Sequence, residues 1–511
     1  MKNVLKNILV ITSIASLAAC SKSYLHTDPT DSVATGTVFS TTKYAKTAVN
    51  GLAKMMTQQY LSSQGMNGEG TIKMYYGNYA GNHFSVDLSG WAPIINFTYT
   101  DNVSSIYCYY PWYYYYKLVS NANAIIDKID AATGPDTEKS FIKAQALCYR
   151  AYSFLMLAQL YGNRWDDSNN GSTPGIILRL DESTGDIPRS TLLETYKQIY
   201  ADLDQAISLF TSSGLKRTTN YDMDIDVANA IYARAAITRK DYPTAEAYAI
   251  KARANYPLMS NGDYAAGFNT PNKEWIWSSY GSTNETLYFY SYFAYIAYNS
   301  SAGAVRTSPK MISRELYNKI PATDFRRSLF LDPAANTYTT STGAAATNSA
   351  LYKAAFAAHP TLQSNATVYA YMQFKVAATD LPGVGNMNNF RSAEMYLIEA
   401  EAKYFQSKPD VDVQNVLIAL NKTSGRDASY TNTKTGTALL DEIKLYRGIE
   451  LWGEGFDWFD MKRWNDPIVR HDYAGGSNFI ASLALTIQPS ANNKWTWKLP
   501  LKETDFNTLA Q

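Results

Sequence analysis

Two groups of acidic residues are the first candidates for chemistry in this chain. Near the C-terminus four carboxylates follow one another at three- and four-residue steps: Glu450, Glu454, Asp457 and Asp460. Three basic residues lie within reach of this row, namely Arg447, Lys462 and Arg463. A general acid and base could be built from such a row. Because opposite charges at helical spacing attract one another, the pattern favours a structural ion-pair network over a catalytic pair.

The second group, residues 222–226, reads DMDID and superficially resembles a calcium-binding loop. An EF-hand loop requires a glycine at its sixth position and a glutamate at its last. Val227 occupies the glycine position, and no glutamate closes the segment. Aspartate before an apolar helical run is typical of a helix N-cap, so we predict a cap before Val227, with a different metal site as the alternative.

The common catalytic and cofactor motifs are absent from the sequence. It has no G-x-S-x-G, H-E-x-x-H or G-x-x-x-x-G-K pattern, and its four histidines show no metal-ligand spacing. A hydrolase needs a nucleophile, a base and a group that orients the base, and none is indicated. We therefore expect a protein that is not an enzyme, with no catalytic residues, metal or cofactor. A net charge of +1 without a basic run also argues against nucleic-acid binding.

The remaining chemistry is recognition by aromatic rings, which make up 14% of the chain and include 41 Tyr and 10 Trp. A flat ring can stack on the apolar face of a pyranose while Asn, Asp and Arg bind its hydroxyls. Two loop-rich zones, 63–112 and 255–305, combine these residue types. The candidate ligand-binding residues are Tyr75, Tyr76, Trp91, Tyr99, Asn102, Tyr290, Tyr292 and Tyr295. The alternation of tyrosines at 288, 290 and 292 fits one buried face of a strand equally well.

The N-terminus predicts the compartment. Residues 1–19 carry two lysines before a short apolar run, which is the plan of a secretory signal, and they end in Leu-Ala-Ala before Cys20. This sequence is typical of a bacterial lipobox, so we expect cleavage before Cys20, acylation of that residue, and a polar tether over 20–31. An ordinary signal with an incidental cysteine is the alternative. The other cysteines, Cys108 and Cys148, are predicted to be buried thiols, with a bridge between them as the alternative.

The elements that must position these residues are predominantly helical. Helical periodicity is found over 113–129, 137–161, 192–210, 227–252, 391–405 and 438–464. Within 227–252, small residues recur on facing positions and Asp241-Tyr242-Pro243 supplies a turn, as in a tetratricopeptide-type helix pair. An ordinary helical hairpin is the alternative. The tail over 490–511 is predicted to be a loop with a short WTWKLP strand.

Several passages together resemble the SusD/RagB family of outer-membrane nutrient-binding lipoproteins. They are NANAII at 121–126, KAQALCYRAYSFLMLAQLYG at 143–162, RSAEMYLIEAEAKY at 391–404, LYRGIELWGEGFDWFDMKRW at 445–464 and WKLPLKETDFN at 497–507. The fourth passage is similar to the family signature R-x-x-E-L-x-x-E-G-x-R-x-x-D-L-x-R-W. It departs at Asp457, where a basic residue is more usual.

The resemblance implies an all-α superhelix in which four tetratricopeptide-like helix pairs support long aromatic-rich loops with a few short strands. It implies one SusD-like domain over 32–511, with the scaffold mainly in 32–254 and 391–464 and the ligand face mainly in 63–112 and 255–305. It also implies a lipoprotein that is anchored at Cys20, faces the cell surface, binds an oligosaccharide and passes it to a SusC-like TonB-dependent barrel. A RagB-like peptide-binding lipoprotein and a helical scaffold that binds no ligand remain the alternatives.

Overall fold

The computed structural model describes residues 35–61, 65–283, 291–334, 336–492 and 495–510. Its longer helices, in chain order, are α1 (Thr42–Met55), α2 (Ile106–Lys128), α3 (Asp136–Tyr161), α4 (Leu192–Ser213), α5 (Ile225–Thr238), α6 (Tyr242–Arg253), α7 (Ala350–Ala358), α8 (Ser392–Phe405), α9 (Asp410–Ile418), α10 (Gly436–Glu450) and α11 (Asp457–Trp464). None of the helices in these ranges is both long and apolar enough to cross a membrane.

Local sequence signals account for the ends of these helices. A capping box opens α4, in which the side chains of Thr191 and Glu194 each accept a backbone N–H, and Gly214 in the left-handed region ends it. Helix α3 stops at Gly162 as the sequence indicates. Asp224 caps α5 through the N–H groups of Asp226 and Val227, so the prediction of a cap is confirmed.

The scaffold is a succession of helix pairs. Helix α1 packs on α2, α3 on α4, α5 on α6, and α8 on α9, while α2 with α3, α4 with α5 and α6 with α8 join neighbouring pairs. The predicted tetratricopeptide-type helix pair over 227–252 is confirmed: Pro243 lies in the first turn of α6, and Ala245, Ala249 and Ala252 are buried where α6 meets α5 and α8. These small side chains let the helix axes approach closely. The predicted all-α fold with four helix pairs is therefore confirmed.

Two long insertions leave this scaffold, one between α1 and α2 and the other between α6 and α8. Strand β1 (Phe84–Val86) of the first pairs antiparallel with β3 (Lys310–Ile312) of the second, so the pairing holds the insertions together. Strand β2 (Trp275–Ser279) pairs with β4 (Met387–Arg391) at the start of α8. A third pair joins β5 (Ile468–Val469) to β6 (Thr486–Ile487).

Shorter helical segments occupy much of the predicted loop zones and also occur elsewhere in the described chain. They are Thr35–Val38, Gly68–Thr71, Ile72–Asn78, Ser89–Trp91, Ala92–Ile95, Ile129–Ala131, Trp165–Asp167, Asn261–Ala265, Tyr292–Ile296, Gly303–Arg306, Arg314–Lys319, Phe325–Leu329, Ala419–Thr423, Pro489–Asn492 and Leu501–Thr504. The first zone is thus more helical than the sequence indicates, and α2 begins inside it. Buried tyrosines, which the composition cannot distinguish from exposed ones, stabilise these helices.

Two predicted elements are wrong. The helix expected over 438–464 is broken between Glu450 and Asp457, where Gly453 and Gly455 have φ of 79° and 91°. The expected WTWKLP strand does not form, because the N–H of Trp497 donates to the Leu160 carbonyl at the end of α3 and has no strand partner. Trp495 lies in a turn, and the residues from Trp497 to Pro500 have no regular secondary structure. Cys108 and Cys148 are free and buried, as predicted.

Candidate ligand-binding site

The base of the candidate site is the π-helix Ile72–Asn78 together with the residue that follows it. Every residue of this helix is buried. The rings of Tyr75 and Tyr79 stack with their centroids 5.9 Å apart and their planes 15° apart. Such π-helical turns are frequent at functional sites because they redirect side chains that an α-helix would place elsewhere. Here the turn produces a buried aromatic floor.

Trp91 lies on this floor. It ends the turn Ser89–Trp91 and is followed at once by the helix Ala92–Ile95. The centroid of its ring is 4.8 Å from that of Tyr75 and 6.5 Å from that of Tyr79. Trp91 is partly exposed, whereas both tyrosines are only 1% exposed. Its indole therefore reaches solvent from a rigid support.

Two further rings extend the exposed side. Tyr99 and Tyr107 stack with their centroids 4.9 Å apart, and Tyr107 lies 6.5 Å from Trp91. Both tyrosines are partly exposed. Tyr107 is fixed at the start of α2, where its backbone N–H donates to the side chain of the N-cap Ser105. The three outer rings thus belong to a loop and a helix that pack against each other.

Tyr295 brings the second insertion to the same place. Its ring meets Tyr75 edge to face at 5.9 Å and Trp91 at 6.3 Å between centroids. The two aromatic-rich zones therefore converge, although more than 180 residues of chain separate their closest members. We call these six residues the aromatic cluster: Tyr75, Tyr79, Trp91, Tyr99, Tyr107 and Tyr295.

The aromatic cluster contains only phenol and indole side chains, and no acidic or basic one. Burial raises the pKa of the Tyr75 and Tyr79 phenols well above the usual value, so both remain neutral. Burial and the neighbouring Tyr99 also raise the pKa of Tyr107. The exposed polar residues on the same loop include Asp101 and Asn102. Neutral rings beside amide and carboxylate groups suit an uncharged ligand rich in hydroxyls.

The predicted site residues differ in their burial and in whether they belong to the aromatic cluster. Tyr75, Trp91, Tyr99 and Tyr295 join the cluster, and exposed Asn102 lies three residues beyond Tyr99. Tyr75, Tyr76 and Tyr295 are buried, so the expectation that each offers a solvent-facing platform is corrected: Tyr75 and Tyr76 belong to the fully buried π-helix, and Tyr295 packs edge to face on Tyr75. Tyr76 lies against Trp497. Tyr292 is partly exposed, and its hydroxyl donates to the Gly453 carbonyl. Tyr290 and Cys20 lie outside the described residues.

Two members of the cluster were missed by the sequence analysis. Tyr79 is four residues after Tyr75, a spacing that indicates a shared helical face. Tyr107 comes two residues after Ser105, at the start of a long apolar run, which is a helix-start signal. Both signals are present in the sequence, but neither reveals that the two residues meet.

The acidic row of the C-terminal signature is structural, as predicted, but its partners differ. Asp460 pairs with Arg447 and Arg463 as expected, whereas Glu450 and Glu454 turn to Arg391, at 2.6 and 2.8 Å. Lys462 donates to the carbonyls of Gln159 and Gly162. The glycine break after α10 explains the difference, because it ends the single stripe that a continuous helix would present.

A separate cleft of about 830 Å³ opens between the helix Arg314–Lys319 and α10, and it contains no predicted site residue. Its walls carry charges of both signs, including Lys319, Lys444, Asp441 and Asp466. Lys444 and Asp466 neutralise each other at 2.8 Å. Within the described ranges, no group of three or more His, Cys, Asp or Glu side chains could hold a metal ion.

Solved structures with this fold come from several Bacteroides species. A SusD-like carbohydrate-binding protein of Bacteroides vulgatus has a TM-score of 0.74 at 24% identity, covering 92% of this chain and 98% of its own. A SusD superfamily protein of Bacteroides thetaiotaomicron has a TM-score of 0.72 at 22% identity, with coverages of 92% and 99%. One of Bacteroides fragilis reaches 0.68 at 17% identity, with coverages of 93% and 100%. At these identities the likeness shows a shared fold.

Family sequence profiles match most of the chain. The profile described as "Starch-binding associating with outer membrane", a SusD-like family, matches residues 31–235. The profile of the SusD family matches residues 251–503. No curated protein sequence matches the chain. The protein therefore belongs to the SusD family, whose members generally bind carbohydrate at the outer membrane and are not enzymes.

Proposed function

We propose that this protein captures an oligosaccharide on the outer rings of the aromatic cluster. The observation that carries the proposal is that Trp91, Tyr99 and Tyr107 are partly exposed above a buried floor of tyrosines. Rings held in place lose little conformational entropy when a sugar stacks on them. Asp101 and Asn102 on the same loop supply groups for the hydroxyls.

The same proposal includes anchoring and delivery. Acylation at Cys20 holds the domain on the outer membrane, and a SusC-like TonB-dependent barrel receives the glycan. Support comes from the lipobox in the sequence and from the outer-membrane association of the family. No bond of the glycan is changed, since the cluster has no acid, base or nucleophile suited to cleavage.

Isothermal titration against a panel of neutral oligosaccharides, including maltoheptaose, cellohexaose and xylohexaose, tests glycan capture. We expect at least one of them to bind. Trp91→Ala should weaken that binding about tenfold, because one lost stacking contact costs about 1.4 kcal/mol.

Trp165→Ala is the matched control. Trp165 is also partly exposed, but it packs on Tyr196, away from the aromatic cluster. Its loss should leave the affinity unchanged. Absence of heat with every glycan, or equal losses in the two variants, would contradict the proposal.

Peptide binding is the second candidate, and the cleft beside α10 favours it. Its apolar residues Leu316, Leu445 and Met461 lie among charges of both signs, a combination that suits a peptide better than a neutral sugar. Tryptic casein peptides belong in the same titration series. Heat with these peptides and none with glycans would replace the leading proposal by this one. Absence of heat in both series would leave the third role, that of a helical scaffold that binds no ligand.

A further inference from the structure

A buried arginine outside the aromatic cluster contacts the segment that carries Tyr75 and Tyr79 and the segment that follows Trp91. Arg470 follows β5 and is 2% exposed. No ion pair of Arg470 is found among the described residues, although most buried arginines of this protein pair with carboxylates. Because an unpaired buried charge is expensive, its guanidinium must be stabilised by other groups.

Backbone carbonyls provide that stabilisation. The Arg470 Nε donates to the Gly81 carbonyl at 2.8 Å, and Nη2 donates to the Tyr79 carbonyl at 3.3 Å. Nη1 donates to the Ile95 carbonyl at 2.9 Å and to the side chain of Asn96 at 3.4 Å. All four acceptors belong to residues 79–96.

These acceptors lie at two helix ends. Tyr79 and Gly81 follow the π-helix that carries Tyr75, and Ile95 ends the short helix that begins after Trp91. A cation at the C-terminal end of a helix satisfies carbonyls that have no partner within the helix and is favoured by the helix dipole. The guanidinium of Arg470 therefore links the end of the π-helix that carries Tyr75 to the short helix that follows Trp91.

We propose that Arg470 is a positioning residue that sets the indole of Trp91 against the ring of Tyr75. The inference rests on the proposed function only where it concerns ligand affinity. The effect of Arg470 on the position of the Trp91 indole does not depend on a ligand. A guanidinium presents donors in a fixed fork, whereas a lysine amine is a single point. The fork fixes the angle between the two segments as well as their separation.

Burial lowers the pKa of Arg470 to about 10, so the group remains charged at neutral pH. Asp457 opposes this shift without forming an ion pair. The ring of Phe479, 5.6 Å from the guanidinium carbon, covers another side. Arg470 is thus held by a carbonyl cradle, and a neutral substitute would leave several of these carbonyls unsatisfied.

Fluorine NMR of the full chain labelled with 5-fluorotryptophan tests the inference without a ligand. Ten tryptophans give ten resonances, and Trp91→Phe identifies that of Trp91. In Arg470→Met the Trp91 resonance should shift by more than its linewidth or split, while the Trp165 resonance stays in place. A residue that only stabilises the fold would lower the melting temperature and leave the Trp91 resonance unmoved.

Arg189 offers a matched control because it also donates only to carbonyls, those of Tyr161, Pro174 and Gly175. Arg189→Met should leave the Trp91 resonance unchanged. If Arg470→Met does not fold, Arg470→Lys, which keeps the charge, is judged by the same criterion. An unmoved Trp91 resonance in the folded variant overturns the inference.

A binding measurement separates this inference from the proposed function. With maltoheptaose as the probe, Arg470→Met should weaken binding at least threefold in the wild-type background and have no further effect in Trp91→Ala, as in a double-mutant cycle. If maltoheptaose binds neither the wild-type protein nor any variant, a starch-type ligand is excluded. The fluorine NMR result then still decides whether Arg470 positions Trp91. Equal losses in both backgrounds would mean that Arg470 acts on binding through groups other than Trp91, against the inference.

Discussion

At the scale of single residues, Asp457 departs from the family signature and its partner is a histidine. The Nδ1 atom of His83 lies 2.9 Å from a carboxylate oxygen of Asp457, whose second oxygen accepts the His83 backbone N–H. Gly448 makes room for the imidazole, since a Cβ at that position would lie 2.9 Å from the ring. Position 457, where the family signature usually has a basic residue, therefore carries an acid that pairs with His83.

This pair predicts a pH-dependent stability. Burial disfavours the charged imidazole, but Asp457 and Asp460 outweigh burial and Lys319, so the pKa of His83 is raised. A raised histidine pKa stabilises the fold fully below the unfolded value of about 6.5, and this contribution is lost as the pH rises through the folded value. Asp457→Asn should therefore lower the free energy of unfolding more at pH 5.5 than at pH 8.5, as measured in urea.

The more exposed pair between His471 and Glu315 provides the control for this experiment. Solvent screens an exposed pair, so Glu315→Gln should give a smaller difference between the two pH values. An Asp457→Asn effect that is the same at both pH values would show that the ion pair does not contribute.

At the scale of elements, the turn after the helix Ala92–Ile95 has a phenylalanine, Phe97, in the left-handed backbone conformation. The N–H of Thr98 donates to the Pro93 carbonyl and that of Phe97 to the Ile94 carbonyl, which is a Schellman ending. Phe97 occupies the position usually taken by glycine, with φ of 63°. Its buried ring packs near Trp458 and Trp495, so core packing holds a strained backbone that leads into Tyr99.

This strain reverses the usual order of two substitutions. Phe97→Ala loses the ring and keeps the strain, whereas Phe97→Gly loses the ring and relieves about 1 kcal/mol of strain. We expect Phe97→Gly to have the higher free energy of unfolding in urea. At Phe84, a buried strand residue, the glycine variant should be the less stable one. If the glycine variant is less stable than the alanine variant at Phe97 as well as at Phe84, strain at Phe97 is excluded.

At the scale of the whole molecule, a buried ion network connects the second insertion to the C-terminal helices. Arg391 donates to the carboxylates of Glu274, Glu450 and Glu454, which lie before β2, at the end of α10 and beyond it. Arg426 and Arg326 also pair with Glu450. These arginines hold the pKa of Glu450 well below its usual value against the cost of burial. The network thus binds together segments that are distant in the chain.

Arg391→Met should lower the free energy of unfolding by about 3–5 kcal/mol, because it leaves buried carboxylates undercompensated. Urea titration at neutral pH measures the change. Arg253→Met removes a less buried pair with Glu399 and should cost much less. Losses of similar size would mean that the network is no more important than a single peripheral pair.

Local signals were sufficient for much of the fold. The end of α3 at Gly162, the cap at Asp224 and the turn before Pro243 depend on residues a few positions apart, so the sequence predicts them directly. Two glycines that break the helix after Glu450 were overlooked because the surrounding acidic periodicity appeared continuous. The sequence also determined the family, since its signatures occur in order along most of the chain.

Only the tertiary structure decided which rings face solvent and which groups meet. Tyr75 and Trp91 are both aromatic residues in a loop-rich zone, yet one is buried and the other partly exposed. The meeting of Tyr75 with Tyr295, and of Arg470 with Tyr79 and Ile95, depends on the pairing of two insertions and on the path of the C-terminal segment. Periodicity records which face a residue occupies within its own element, whereas exposure depends on what the rest of the chain places against that face.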